Sequence, residues 1–282
     1  MSYQFYLNQS NLNTSNATNS VYTLNFQGSI DLTGKEIAIT NVTIPYSWYN
    51  ISSTIGNNSF QYVWTDGTVV TVTIPNGGYN VSDINAYLEY VMVQNLHYLI
   101  DSSGNNVYYL NISTNTTAYA VTLTSLQTPS SLPAGWSYPA TASWTVNNYN
   151  PQFYLNNSVF NAFIGFASAS TYYPATLGVQ SGNLSYNSTL TPNISTIQTV
   201  LMATTAVNNT YSRLPQLVYS FTPNVSFGNI INITPYQLLY TECTSGQQFQ
   251  LSISFLDQNY AYLRINDSNI QISISIRDVP RR

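Results

Sequence analysis

The chain has 282 residues, of which 6% are charged and 14% aromatic, and its formal net charge is −4. A typical soluble protein is roughly 25% charged, so Asn, Ser, Thr, Gln and 25 tyrosines must supply most of the polar surface. The aromatic content excludes a disordered chain, and six Lys and Arg residues are too few to predict nucleic acid as a specific partner.

The chain termini and the single cysteine exclude further classes of protein. One cysteine, Cys243, excludes an internal disulfide framework and predicts no structural metal site. The segment 1–6 lacks the pattern of a signal peptide, and no apolar run reaches the roughly 20 residues of a membrane span. We therefore expect synthesis inside a host cell, without secretion. Arg277, Arg281 and Arg282 form a basic tail, which most often is a solvated end.

Alternation of apolar and polar residues dominates the first third of the chain. It predicts strands at 21–26, 36–44, 60–64 and 69–74, the last two joined by a hairpin turn at Asp66-Gly67. An apolar stripe with helical spacing then predicts an amphipathic helix over 83–95, with Ser82 as its N-cap.

The rest of the chain continues the β pattern. Strands are predicted at 107–112, 118–123, 216–221, 249–255 and 270–276. Between them lie a loop over 129–151, a short helix over 159–164 capped by Ser158 and ended by Gly165, and a long surface excursion over about 168–194. The pattern favours an all-β fold: a single jelly-roll β-sandwich over residues 1–282, with two short helices and long inserted loops.

Candidate catalytic groups are few. A Cys-His nucleophilic pair would need Cys243 to meet His97, the one histidine, and no motif surrounds either. Asp257, Asp267 and Glu242 are the best carboxylates for a glycosidase, but aspartates in such positions more often form turns. The segment 101–106 places oxygen ligands at loop spacing, but it lacks the acidic series of a calcium loop and favours a plain turn. We therefore predict no enzyme, no cofactor and no metal.

Several segments form an ordered set of motifs. The first two are IAITNVTIPYSWYNIS and, about twenty residues later, VTIPNGGYNVSDINAYL; the later ones are FNAFIGF, YSFTPNVSFG and FLDQN. In this order they resemble the penton or minor capsid proteins of virophages, Polintons and polinton-like viruses, from about residue 20 to residue 277. These viruses belong to the double-jelly-roll lineage of eukaryotic DNA viruses.

The resemblance implies a function. It implies a jelly roll, five copies forming a capsomer at each icosahedral vertex, contacts with the major capsid protein, a location in the virion and no catalytic residue. A low-charge, Tyr-rich surface also favours association. A second minor capsid position, or a fibre, receptor-binding or glycan-binding β-module, is the alternative, because jelly rolls also serve as lectins.

Five aromatic residues are candidates for contacts between subunits. They are Trp48, Tyr49, Trp136, Tyr138 and Trp144. Filling the core is at least as probable a role for each tryptophan taken singly.

Overall fold

The computed structural model describes residues 2–180, 182–210 and 212–280. Its described residues form β-strands and two short helices, which confirms the all-β prediction. They divide into two compact units: unit 1 is Met1–Trp48 with Ile197–Arg282, and unit 2 is Tyr49–Thr196. Neither helix of the described ranges is long and apolar enough to cross a membrane.

Nine strands of the described residues build unit 1. They are β1 (Ser2–Asn8), β2 (Val21–Asp31), β3 (Lys35–Pro45), β13 (Val200–Thr204), β14 (Leu217–Phe221), β15 (Ile230–Ile233), β16 (Thr241–Glu242), β17 (Gln247–Leu256) and β18 (Gln271–Asp278), with the 3-10 turn Gln9–Asn11 after β1. An isolated bridge also pairs Leu12 with Tyr22.

Unit 1 is a jelly roll. Its first sheet has the order β1-β18-β3-β15, with β16 also pairing β3, and its second has the order β14-β13-β17-β2. All of these pairings are antiparallel. Strands that follow one another along the chain fall in opposite sheets or join by long connections, which is the double Greek key of a jelly roll.

Strict alternation places the core of unit 1. In the first sheet, Leu7, Ile272 and Val42 lie opposite one another on neighbouring strands and are fully buried. The residues before and after each of them along its strand face outward. The second sheet supplies Ile253 and Phe255 from the other side. The long alternating runs in the sequence therefore became the central strands of two packed sheets.

Unit 2 is inserted between β3 and β13. Its strands are β4 (Ser59–Val63), β5 (Val69–Thr73), β6 (Leu99–Ile100), β7 (Asn106–Val107), β8 (Leu110–Asn115), β9 (Ala120–Ser125), β10 (Gln152–Leu155), β11 (Thr171–Tyr173) and β12 (Leu184–Asn187). They form the sheets β11-β10-β4-β5 and β12-β9-β8 and the pair β6-β7. The helices are α1 (Val81–Gln94) and α2 (Ser158–Phe163).

Both helices begin one or two residues before the predicted starts, because asparagines cap them. Asn80 accepts from the backbone N–H of Asp83, whose carboxylate in turn accepts from the N–H of Asn80, in a capping box. Asn157 caps α2 in place of Ser158. Gly165 ends α2 as predicted, with φ of +82°, and a Cβ there would lie 2.4 Å from the Leu190 carbonyl oxygen.

The segment 168–194 carries two short strands, β11 and β12, which pair with β10 and β9. The larger insertion is unit 2 as a whole, and the jelly-roll strands all lie in unit 1. That residues 1–282 behave as a single domain, with 168–194 as a surface excursion, stays a prediction.

Candidate assembly surface

The outer face of the first jelly-roll sheet is polar and uncharged over most of its area. The residues that alternate with the buried ones are Gln4, Tyr6, Asn8, Gln271, Ser273, Asn41, Thr43 and Asn232. The Asn41 Nδ2 donates to Asn232 Oδ1 at 3.2 Å and to Thr234 Oγ1 at 3.0 Å, so neighbouring amides satisfy one another across the strands. Such a face has little charge repulsion to resist contact with a neighbouring protein.

Four charged groups of this sheet gather at one end and form two ion pairs. Lys35 Nζ lies 2.7 Å from Asp278 Oδ1, and Arg277 Nε lies 2.5 Å from Glu36 Oε1. The hydrogen bond from Lys35 lowers the pKa of Asp278 to about 2. Because each positive charge has an acidic partner, this end also presents little net charge.

An exposed apolar segment follows the edge strand of the same sheet. We define it as Ile230, Tyr236, Leu238 and Leu239, on and just after β15. Ile230 is 61% exposed, Leu239 is 64% exposed and Tyr236 is fully exposed. Single exposed apolar residues are common, but several within ten residues on one edge indicate a surface that binds another molecule.

Contacts at both ends hold this segment against the jelly roll. β15 and β16, which flank it, both pair with β3. Just before β16, the Tyr240 hydroxyl lies 3.2 Å from Ser275 Oγ, and the Arg277 guanidinium lies 3.6 Å from the centre of the Tyr240 ring. The apolar side chains are therefore presented by an anchored loop.

No predicted strand, helix or contact residue falls in this segment. The sequence does carry a signal for it, because four of the five residues over 236–240 are apolar or aromatic. They are Tyr236, Leu238, Leu239 and Tyr240, and they do not follow the alternation of a half-buried strand. Without a strand pattern, only the exposure of the folded chain distinguishes such a run from a core loop.

The five predicted contact residues have different surroundings. Trp48 is buried in the core of unit 1, with its ring centre 4.6 Å from that of Tyr46, and Trp144 is buried in unit 2. The burial of these two indicates core filling, which counts against subunit contacts through their side chains. Tyr49, Trp136 and Tyr138 are half-buried, and their role in assembly stays a prediction.

The candidate nucleophilic pair is split between the units and neither member is activated. His97 belongs to unit 2, where its ring stacks on Trp64 at 4.7 Å and its Nδ1 hydrogen-bonds the Tyr62 hydroxyl at 2.8 Å. Burial lowers the pKa of His97 to about 4. Burial also raises the pKa of the Cys243 thiol, in unit 1, to about 11, so the reactive thiolate is disfavoured.

The candidate carboxylates of the sequence analysis serve turns and a strand. Asp257 accepts from the backbone N–H groups of Asn259 and Ala261, and Asp267 accepts from that of Asn269. Glu242 lies on β16 opposite Glu36. Asp101 accepts from the N–H groups of Ser103 and Asn105, so its oxygens organise the turn that was weighed as a calcium loop.

The basic tail is only partly described. Arg277 pairs with Glu36, whereas Arg281 and Arg282 lie outside the described residues.

The whole chain was compared with known proteins and with solved structures. No family model matches the chain, and no curated protein matches it. The selenomethionine-labelled mavirus penton protein is similar with a TM-score of 0.43 and 8% sequence identity, covering 99% of this chain and 98% of that chain. A chain of the 3.5 Å cryo-EM structure of the Sputnik virophage has a TM-score of 0.38 and 12% identity, with 98% of each chain covered. Both come from virophages, the group whose capsid proteins the ordered motifs resemble.

Proposed function

We propose that this chain is a structural virion protein, the penton that occupies the vertices of an icosahedral double-stranded DNA virus. It acts without catalysis, by forming a homopentamer and contacting the major capsid protein. The exposed apolar segment carries the proposal, because Ile230, Tyr236 and Leu239 leave apolar area in water that association would bury.

Two further features support assembly as the function. The outer face of the first sheet has uncharged amides and hydroxyls, which neither repel a like surface nor require an ionic partner. A jelly roll packs as a rigid sandwich, and rigid surfaces lose little conformational entropy on association. The ordered motifs resemble pentons, which supplies the number of copies.

The test is the mass of the purified chain by light scattering across a dilution series. We expect a pentamer that dissociates on dilution, because mass action governs assembly. The double variant Tyr236→Ser with Leu239→Ser should shift the population towards monomer at equal concentration. The matched control is Tyr119→Ser, which removes an exposed aromatic ring from unit 2.

Two outcomes would contradict the proposal. The first is a wild-type chain that stays monomeric at every concentration and also fails to bind the major capsid protein. The second is a pentamer that persists in the double variant, which would remove the apolar segment as its basis.

A further inference from the structure

Two clefts lie side by side at the β1 edge of the jelly roll, on either side of the 3-10 turn. The first has a volume of about 350 Å³ and is lined by Tyr6, Asn8, Gln9, Asn269 and Gln271, among others. The second has a volume of about 420 Å³, and Ser10 lines both. Each volume can hold a small polar ligand.

Unpartnered polar groups converge in the first cleft. Asn8 and Gln271 lie opposite each other in the β1–β18 register, so both side chains project from the outer face. Within the described ranges, the amides of Gln271 and Asn269 and the hydroxyl of Tyr6 have no hydrogen-bond partner in the protein. Tyr6 is half-exposed and presents its ring beside these groups.

The wall between the clefts is fixed before any ligand binds. Asn8 Oδ1 accepts from the backbone N–H of Ser10 at 2.9 Å and from its hydroxyl at 2.7 Å, and the N–H of Asn8 donates to Asn11 Oδ1. Gln9 Nε2 donates to Ser268 Oγ at 3.2 Å, which ties the turn to the chain entering β18. A fixed wall reduces the entropy that a ligand would cost to order.

The second cleft repeats the same chemistry on the other sheet. Asn25 of β2 and Gln250 of β17 lie directly opposite each other, and the hydroxyls of Thr23 and Ser252 lie 2.9 Å apart. Asn13 completes this lining from the loop after the turn. The two clefts therefore carry the same kinds of polar group, and together they form a band of amides and hydroxyls that meets at Ser10.

The lining of both clefts selects for a neutral ligand. Among the residues that the structure describes, no Asp, Glu, Lys, Arg or His lines either cleft. An anionic ligand would find no cation to compensate its loss of water. Side-chain amides offer a donor and an acceptor together, which suits the adjacent hydroxyls of a sugar, and the Tyr6 ring offers an apolar surface for its C–H face.

We propose that this band binds a neutral oligosaccharide, with Tyr6, Asn269 and Gln271 as its principal contacts. The site goes beyond the proposed structural role and does not depend on it. It lies at the β1 edge of the first sheet, whereas the exposed apolar segment follows β15 at the opposite edge. Contact through the apolar segment therefore leaves this site open, whereas contact through the outer face of the first sheet, to which Tyr6 and Gln271 belong, would cover it.

The test is binding of the full chain to a glycan array that carries neutral hexose and N-acetylhexosamine oligosaccharides beside their sialylated and sulfated forms. We expect neutral glycans to bind and their anionic forms to bind more weakly. Titration of the best neutral glycan against Gln271→Ala and Tyr6→Ala should show a loss of about tenfold or more, as expected for a lost polar or stacking contact. Tyr6→Phe should retain most of the affinity that stacking supplies.

A control separates this site from general stickiness and from assembly. Gln94→Ala removes an exposed amide from α1 in unit 2 and should bind like the wild type. The mass of each variant, measured in the same buffer, should equal that of the wild type. Binding by none of the neutral glycans, binding confined to the anionic forms, or equal affinity in Gln271→Ala and Tyr6→Ala would each overturn the proposal whatever the oligomeric state.

Discussion

The cores of the two units differ in kind. Among the described residues, four of the 24 buried core residues of unit 1 are aromatic, whereas nine of the 23 in unit 2 are. Unit 1 packs Ile, Val and Leu from long alternating strands. Unit 2 packs large rings from short strands, both helices and the long loop, around a buried histidine.

Charge divides in the same way. Unit 1 carries six basic and six acidic residues, and unit 2 carries four acidic residues and no Lys or Arg. The whole formal charge of −4 therefore belongs to unit 2. Alternation specifies the longest strands of the aliphatic sandwich, whereas unit 2 depends on individual rings and on polar groups that anchor its loops. Single substitutions should therefore have their largest effects in unit 2.

Trp64→Ala is the most severe test of the difference between the two cores. Trp64 is fully buried, stacks on His97 and meets the edge of Trp144 at 4.9 Å. Its removal should lower the free energy of unfolding by about 3–5 kcal/mol, since a large ring leaves a cavity. Hydrogen exchange measured by mass spectrometry should show the lost protection in unit 2.

A smaller deletion in unit 1, Ile274→Val, should cost about 0.5–1.5 kcal/mol, and its lost protection should fall in unit 1. Loss of protection spread equally over both units after Trp64→Ala would show that the cores do not act separately.

The next largest effect tests how the ends of unit 2 are joined. Asn50 Nδ2 donates to the carbonyl oxygens of Tyr79 and Ile194 at 2.7 and 2.9 Å, and its Oδ1 accepts from the N–H of Tyr79 at 2.8 Å. Asn50→Ala should lower the free energy of unfolding by about 2–3 kcal/mol, because it leaves three partly buried backbone groups unpaired. Urea denaturation gives this value.

Asn95→Ala is the control for that measurement, because the Asn95 amide makes one exposed hydrogen bond, to the Val91 carbonyl oxygen. If both variants unfold at the same urea concentration, Asn50 does not join the ends of unit 2.

The stability of the chain as a function of pH tests the core of unit 2 through His97, the one histidine of the chain. Its pKa is about 4 in the folded chain, because burial disfavours the charged ring, against 6.5 in the unfolded chain. The neutral ring therefore makes its full contribution to the free energy of unfolding above pH 6.5. This contribution is lost as the pH falls towards 4, because over that range only the unfolded chain binds the proton. We expect a loss of about 1–2 kcal/mol across this window, after allowance for solvent screening.

The variant His97→Phe keeps a ring against Trp64 and removes the titrating group, so its stability should change little between pH 6.5 and 4.5. A wild-type chain with equal stability at both pH values would contradict the assignment.

The smallest effect belongs to unit 1. Arg277→Met removes the ion pair with Glu36 and the contact with the Tyr240 ring, in which the Arg277 side chain is 42% exposed and that of Glu36 is 12% exposed. We expect a cost of about 1 kcal/mol, reduced by added salt, since a partly exposed pair contributes little. Thermal unfolding at low and high salt measures it, and a loss equal to that of Trp64→Ala would reverse the ranking of the two units.

The sequence predicted the parts of the fold that periodicity controls. The strands near β2, β3, β17 and β18 and the hairpin of β4 and β5 were confirmed, because alternation over five or more residues decides which face is buried. The helix α1 was also confirmed, because its apolar stripe has helical spacing.

Other parts needed the tertiary structure. β1, β10 and β13 were not predicted, since these segments become strands only through pairing with distant ones, as Tyr6 does with Ser273. The division into two units was not predicted either, because the chain passes from Trp48 to Tyr49 without a change in composition. The exposed apolar segment and the clefts depend on residues far apart in sequence, which no local pattern relates.

The uneven distribution of basic residues has a consequence for proteolysis. Trypsin cleaves after Lys and Arg, and the chain has neither between Lys35 and Arg213. Even a complete tryptic digest therefore leaves all of unit 2 within one fragment, 36–213, while unit 1 is cut at several places. Chymotrypsin, which prefers large aromatic residues, has many sites in unit 2. Trypsin would thus report on the opening of the aliphatic sandwich alone, whereas chymotrypsin would cleave both units.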